Sequence, residues 1–165
     1  MGVLISAAMV FVTSGAALAQ SGQSMQGQVD EVLRWNPGAR QVDARSVELE
    51  PGFVVHVLDE YNASAAPCGS GYVCIYSDPG FQGYIMTFYN YGFYNLAKYN
   101  YPGGGKWAHR TSSYRNYQTG HAKANFSRYQ ATNNTWYGVD ECRATCERST
   151  LGTADNIIDG VRLEP

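Results

Sequence analysis

The stretch CGSGYVCIYSDPGFQG, residues 68–83, decides the fold of this chain. An aromatic residue, Tyr76, lies in a predicted strand, and the pattern Phe81-x-Gly83 follows after Asp-Pro-Gly. Gly83 lets the backbone turn back with a positive φ, and the two aromatic rings can then pack against each other beneath the turn. Ser112 and Ser113 follow further along the chain, and a serine hydroxyl can tie such a turn to its neighbours. The stretch therefore predicts a folded β-hairpin.

The chain from Cys68 onward is rich in the same aromatic and turn-forming residues. It contains most of the 13 Tyr and 18 Gly of the protein, and no segment keeps a helical periodicity. Aromatic residues suit a pleated surface, and glycine suits tight turns. The predicted strands are YVCIYSD, GYIMTFYN, SSYRNY, ANFSRYQ, TWYGV and GVRLE. Because turn residues separate these short strands at regular intervals, the sequence predicts an all-β domain at 68–165, a sandwich or barrel of antiparallel strands.

The first 67 residues predict a leader and an extension. Residues 1–19 are uncharged and apolar and end in Ala-Leu-Ala, which is typical of a cleaved secretory signal peptide. Residues 20–67 then predict a short helix at 28–35, a β-hairpin that turns at Pro51-Gly52, and a linker at 59–67. His56 falls on the polar face of that hairpin, and we expect it to face solvent. We favour packing of this extension against the domain at 68–165 over its removal as a prosegment.

Four cysteines support export. Cys68, Cys74, Cys142 and Cys146 all follow the predicted cleavage site, and an even count in a small secreted chain predicts two disulfides. Three pairings are open, and we prefer the local one, Cys68 with Cys74 and Cys142 with Cys146. A zinc site is the alternative, but the spacings C-x5-C and C-x3-C are wider than structural zinc sites favour. The protein is thus predicted to be extracellular, with no membrane contact after cleavage.

The motif of this chain resembles the βγ-crystallin Greek-key signature. Its residues are Tyr76, Phe81, Gly83, Ser112 and Ser113. More narrowly, the chain resembles secreted bacterial peptidase inhibitors of the Streptomyces metalloproteinase inhibitor type, peptidase inhibitor family thirty-six. The segments that carry this resemblance are NPGARQ at 36–41, CGSGYVC at 68–74 and YNLAKYNY at 94–101. The resemblance implies a Greek-key sandwich and a monomer that non-covalently blocks a secreted peptidase, with a metallopeptidase as the expected target.

The resemblance also implies a calcium-binding site as an alternative. Microbial βγ-crystallin domains often bind Ca²⁺ between two acidic or amide-rich segments, because oxygen ligands suit this cation. Here the first segment, AHRTSS at 108–113, has lost both of those positions. The second segment keeps Asp155 and Asn156 and has Asp159 where Ser or Thr is usual. The alternative is that these three residues only form turns. We therefore predict no cofactor, with calcium as a weak alternative at these three residues.

An aromatic-rich stretch at 89–107 is the predicted contact surface. It is too crowded for strand alternation to bury every ring, so several rings should face solvent. The candidate residues are Tyr91, Phe93, Tyr94, Tyr99, Tyr101 and Trp107. Two interpretations are open: a peptidase-binding surface, or a structural or cell-wall glycan-binding module with Trp107 and Trp136 as stacking platforms. One protruding, disulfide-braced loop would favour the peptidase, and a planar row of exposed rings would favour the glycan.

Composition and motifs exclude other classes. The formal net charge is -2, which argues against a nucleic-acid binder because such proteins need a basic surface. The sequence contains no nucleophile elbow, zinc-protease helix motif or phosphate-binding loop. We therefore predict a protein that is not an enzyme.

Overall fold

Two antiparallel sheets and one helix build the part of the chain that the structure describes, residues 24–57, 68–102 and 104–165 of a computed structural model. The helix α1 spans Met25–Trp35, and the strands are β1 Arg40–Asp43, β2 Ser46–Glu50, β3 Phe53–Val57, β4 Val73–Asp78, β5 Gln82–Phe88, β6 Gly92–Asn95, β7 Ser113–Asn116, β8 Lys123–Gln130, β9 Thr135–Arg143, β10 Cys146–Arg148 and β11 Gly160–Glu164. The predicted signal peptide and the predicted linker at 59–67 lie outside the described residues.

The two sheets exchange strands. The larger sheet has the order β1-β2-β3-β5-β4-β7-β10, and the smaller has the order β6-β11-β8-β9. Strand β6 follows β5 along the chain but pairs with β11 in the smaller sheet. Strand β10 follows β9 but pairs with β7 in the larger sheet. Each half of the domain therefore completes the other's sheet, which is the topology of a Greek-key sandwich.

Aromatic side chains fill the space between the sheets. Tyr114 of the larger sheet stacks on Phe126 of the smaller, with ring centroids 4.1 Å apart. Phe88 likewise contacts Tyr94 across the gap at 4.8 Å. Rings at these separations contribute specific packing in addition to the area that they bury. The predicted all-β sandwich is confirmed.

The hairpin of β4 and β5 folds as its motif predicts. The rings of Tyr76 and Phe81 meet edge to face at 5.4 Å, and Gly83 has a φ of 77°. A Cβ at Gly83 would overlap the side chains of Ser77 and Asp78, so only glycine fits this position. Ser113 holds the turn by two hydrogen bonds. Its Oγ accepts from the Phe81 N–H at 3.0 Å and donates to the Asp78 carbonyl at 2.7 Å.

The N-terminal extension packs against the domain, as we favoured. Strand β3 pairs along its whole length with β5, so the extension and the domain share one sheet. Val29 and Val32 of α1 are fully buried in the same core. Asn36 ends the helix and joins it to Asn100, donating to the Asn100 carbonyl at 3.1 Å and accepting from its N–H at 3.0 Å.

The expectation that His56 faces solvent is wrong. The ring lies half-buried between β2 and β5, where Nδ1 is 2.7 Å from Ser46 Oγ and Nε2 is 3.3 Å from Thr87 Oγ1. Burial lowers the pKa of His56, and the nearby charge of Asp43 raises it to a smaller extent. The ring is flanked on both sides because β3 is an inner strand of a wider sheet than the hairpin alone indicates.

Within the described ranges, no helix is long and apolar enough to cross a membrane.

A chain that begins at Cys68 should not fold cooperatively. It would leave β5 without its β3 partner and would expose Phe88, which is fully buried. We expect no single cooperative transition in urea and strong binding of a hydrophobic dye, since the core would be open on one side. A chain that begins at Ser24 is the control and should unfold in one transition. Cooperative unfolding of the shorter chain would contradict the assignment of the extension to the core.

Stability should fall as the pH drops below about 6.5, the ordinary pKa of histidine. The folded state resists protonation of His56 because burial lowers its pKa, so the unfolded state binds more protons in this window. The free energy of unfolding, measured in urea at several values between about pH 5.5 and 7.5, should show this slope. His56→Gln should flatten it, whereas the exposed His121→Gln should keep it. An equal slope in both variants would refute the role of His56.

Candidate functional site

The strand ends of the larger sheet lie in one row. The register pairs Cys146 with Asn116, Asn116 with Val73, Val73 with Phe88, and Phe88 with Phe53. The row thus crosses β10, β7, β4, β5 and β3 at the same height. Since neighbouring strands lie about 4.8 Å apart, it extends for roughly 20 Å.

Five loops continue from this row to one end of the molecule. They are residues 51–52, 68–72, 89–91, 117–121 and 143–145, and we call this surface the loop end. Both disulfides and two of the predicted contact residues, Tyr91 and its neighbour Phe93, lie at or next to it. A surface of this width is comparable with one side of a standard protein–protein interface.

The side chain of Asn116 joins the two sheets directly beneath the loop end. It is fully buried, and its Nδ2 donates to the carbonyls of Ala122 at 3.1 Å and Cys142 at 2.8 Å. Its Oδ1 accepts from the Gln118 N–H at 3.1 Å. Because a buried carboxamide must have its partners, these bonds fix β7 against the ends of β8 and β9.

Main-chain hydrogen bonds connect each loop to another. The connections are Gly71 N to Tyr117 O at 2.7 Å, Tyr117 N to Tyr72 O at 2.9 Å, Tyr89 N to Gly52 O at 3.3 Å and Ala144 N to Ala122 O at 3.0 Å. The rings of Tyr72 and Tyr89, 5.3 Å apart, add a contact between the loops 68–72 and 89–91. The loop end is therefore a pre-organised surface rather than five independent loops.

The structure forms the two local disulfides that we preferred. Cys68–Cys74 closes the loop before β4 and packs with Tyr76 and Ile85 on the outer face of the larger sheet. Cys142–Cys146 joins β9, the edge strand of the smaller sheet, to β10, the edge strand of the larger. We call the segment from Cys142 to Cys146 the disulfide ring. It is the covalent connection between the two edges, and its side chains at 143 and 145 are exposed.

Two tyrosines are the most exposed large aromatic residues of the loop end. Tyr89 is 56% exposed and Tyr91 is 55% exposed. They line a groove of about 410 Å³ together with loops 68–72 and 117–121. Phe93 is also partly exposed, on the neighbouring strand β6.

The remaining candidates of the aromatic stretch are not available as a contact surface. Trp107 is fully buried and packs edge to face on Tyr101 at 5.0 Å, which corrects its prediction as a contact residue and as a glycan platform. Tyr99 packs on Phe53 at 4.4 Å, and burial raises its pKa to about 12, with a smaller effect of Glu50. Tyr94 and Tyr101 are likewise half-buried against the core.

A second aromatic surface lies on the outer face of the smaller sheet. Phe93 meets Trp136 at 4.8 Å with an angle of 78° between the rings, and Tyr129 meets Trp136 at 5.1 Å and 46°. Grooves of about 680 and 820 Å³ flank Trp136. Since the rings are steeply inclined to one another, they do not form the planar row that would favour a glycan.

The two segments of the calcium alternative do meet, but His109 joins them. The His109 N–H donates to the Ile158 carbonyl at 3.0 Å, and the ring Nε2 is 3.0 Å from Asp159 Oδ1. The other oxygen of Asp159 accepts from the Tyr129 N–H at 2.8 Å. Asp155 and Asn156 are exposed and bond each other at 3.0 Å. The described part of the chain contains no cluster of three His, Cys, Asp or Glu that could hold a metal ion.

The disulfide ring is the feature that sequence reasoning did not identify as a site. Its two cysteines were predicted to pair, but the surrounding segment 140–152 had no clear strand pattern. The available signal was the spacing C-x3-C with a charged residue inside it, Cys142-Arg143-Ala144-Thr145-Cys146. Such a short spacing closes the bridged chain into a tight turn.

A comparison with protein-family models agrees with the resemblance read from the sequence. Residues 61–139 match the model of peptidase inhibitor family I36. No curated protein matches the chain. Among solved structures, a βγ-crystallin domain from work on the evolution of the eye-lens fold is similar at 15% identity, over 67% of this chain and 95% of that one, with a TM-score of 0.44. The N-terminal domain of protein S is similar at 21% identity, over 56% and 93%, with a TM-score of 0.39.

Stability measurements should separate the buried from the exposed candidates. Trp107→Ala removes a fully buried ring, and we expect it to lower the free energy of unfolding by about 3–5 kcal/mol. Tyr91→Ala removes an exposed ring and should change it by less than about 0.5 kcal/mol. Urea denaturation of the two variants beside the unchanged chain gives both values. Similar costs for the two would contradict this division of the aromatic stretch.

Proposed function

We propose that this chain, whose residues 61–139 match the model of peptidase inhibitor family I36, inhibits a peptidase and blocks it non-covalently through the loop end. The match to this family supports peptidase inhibition as the activity. The two disulfides agree with an extracellular protein. The family also favours a protein that binds an enzyme rather than being one. What the proposal adds is the surface and the manner of binding.

The disulfide ring is the element that we propose to enter the active-site cleft. It joins the edge strands of both sheets, so no further strand of the described residues covers it from either side. The ring continues directly from the strand β9 and turns at residues 144–145 before β10 begins. Its exposed side chains are the ones that a cleft would meet first. This disulfide-closed, exposed position is the observation that carries the proposal.

Rigidity explains how such a segment would inhibit rather than be consumed. A flexible segment is cut and released, whereas the ring is held by its disulfide and by the hydrogen bond from Ala144 N to Ala122 O. Asn116 holds the carbonyl of Cys142 from the other side. If water added across one peptide bond of the ring, the new carboxylate and amine would stay together, joined through Cys142–Cys146. Pre-organisation of this kind also lowers the entropic cost of binding.

Tyr89 and Tyr91 supply apolar area on the same loop end as the ring, three strands away from it along the row. They belong to the same loop end and are both more than half exposed. Tyrosine provides a large contact area at a low entropic cost, which is why it recurs in recognition surfaces. The contact surface that the sequence predicted at 89–107 is thereby limited to residues 89–91. We add the disulfide ring to it.

The resemblance to metallopeptidase inhibitors supports a metallopeptidase as the first target to examine. We therefore propose a titration of thermolysin, with subtilisin as a peptidase of another catalytic class, by the purified mature chain. The expected result is a stoichiometric loss of activity of one of them. The intact mass of the mixture should show the chain uncut, or cut at one bond with both parts still joined.

Opening the ring should convert the inhibitor into a substrate. Cys142→Ser with Cys146→Ser leaves the strands in place but lets residues 143–145 move, so we expect inhibition to be lost and cleavage to appear in this segment. The matched control is Cys68→Ser with Cys74→Ser, which removes the other disulfide of the loop end and should retain inhibition where the chain stays folded. Equal inhibition by both double variants would refute the ring as the contact element.

A further inference from the structure

Arg143 is the one charged side chain within the disulfide ring, and its guanidinium has no acidic partner. It is exposed, and no carboxylate lies within ion-pair distance of it among residues 24–57, 68–102 and 104–165. Across the ladder its partner residue is Lys123, another cation. Like charges on facing residues repel, so the residue opposite Arg143 in the ladder does not compensate its charge either.

The acidic residues around the ring already have partners. The ammonium of Lys123 lies 3.9 Å from Glu141 and 3.5 Å from Glu164. Glu147 accepts from Arg115 at 3.2 Å and from the Tyr117 hydroxyl at 2.8 Å. Hence the charge that the ring presents without compensation is positive, although the whole chain carries a formal net charge of -2.

The unpaired guanidinium of Arg143 determines which groups the pocket of the target peptidase must contain. When the ring enters a cleft, Arg143 loses its water, and burying an unpaired charge is strongly unfavourable. A carboxylate in the receiving pocket removes this cost, because it can accept two parallel hydrogen bonds from the planar guanidinium. A pocket lined by apolar side chains cannot do so and should bind the ring more weakly.

We propose that Arg143 is the specificity-determining residue of this inhibitor, and that its target is an extracellular peptidase with a carboxylate in the pocket that receives Arg143. Such a peptidase cleaves beside basic residues of its own substrates. This inference rests on the proposed function and refines it, since it names the subsite chemistry of the partner rather than its catalytic class.

The test compares two peptidases of opposite pocket chemistry. Trypsin, with an acidic pocket, and thermolysin, with an apolar one, are each titrated with the full mature chain and with Arg143→Leu, Arg143→Lys and Arg128→Leu. Arg128 is an exposed arginine of the same sheet outside the loop end and serves as the control. The inhibition constant is measured for every pair at low and at high ionic strength.

The unchanged chain should inhibit trypsin more strongly than thermolysin. Arg143→Leu should weaken inhibition of trypsin by about 30-fold or more, the range seen when one partner of a buried charge pair is removed. Arg143→Lys should lie between, because it keeps the charge and loses the paired geometry. Arg128→Leu should match the unchanged chain.

Two results would overturn the inference, and they are distinguishable. If Arg143→Leu inhibits both peptidases as well as the unchanged chain does, Arg143 does not select the target, and the proposed function stands. If neither peptidase is inhibited by any of the chains, the inference fails together with the proposed contact element. Stronger inhibition of thermolysin than of trypsin by the unchanged chain would also overturn it.

Discussion

The buried carboxamide of Asn116 is the contact on which the arrangement of the loop end depends. It is the last residue of β7, and it bonds to the carbonyl of Ala122, directly before β8, and to the carbonyl of Cys142 in β9. Packing alone would let the two sheets slide relative to each other by small amounts, since apolar contacts are not directional. Two hydrogen bonds from one planar group set a single distance between the sheets at this end. The disulfide ring spans that same gap, so Asn116 holds in place the two edges that the ring connects.

Those parts of the fold that local patterns determine could be predicted from the sequence. The helix was expected at 28–35 and is observed at Met25–Trp35, and the turn at Pro51-Gly52 lies between β2 and β3 as its residues indicate. The folded hairpin was predicted from Tyr76, Phe81 and Gly83 because a positive φ and two aromatic rings define that turn almost by themselves. In each case, the determining contacts lie within a few residues of one another or within one motif.

Features that depend on distant parts of the chain were not predictable in this way. His56 was expected in solvent because the hairpin alone has a free face, and it is covered only when β5 takes its place beside β3. Trp107 lies in a glycine-rich segment that looks exposed, yet its ring is enclosed by residues such as Tyr101. The edge strand β1 has no buried residue, so it leaves no hydrophobic pattern to detect. The disulfide ring was missed for a related reason, since its position depends on two strands that lie in different sheets.

Strand β11 has a consequence for the integrity of the smaller sheet. It lies between β6 and β8 in the interior of that sheet. Among the described residues, β6 pairs with no other strand. A chain in which β11 is displaced would therefore lose β6 from the sheet as well, and water would reach the side of the core that these two strands cover.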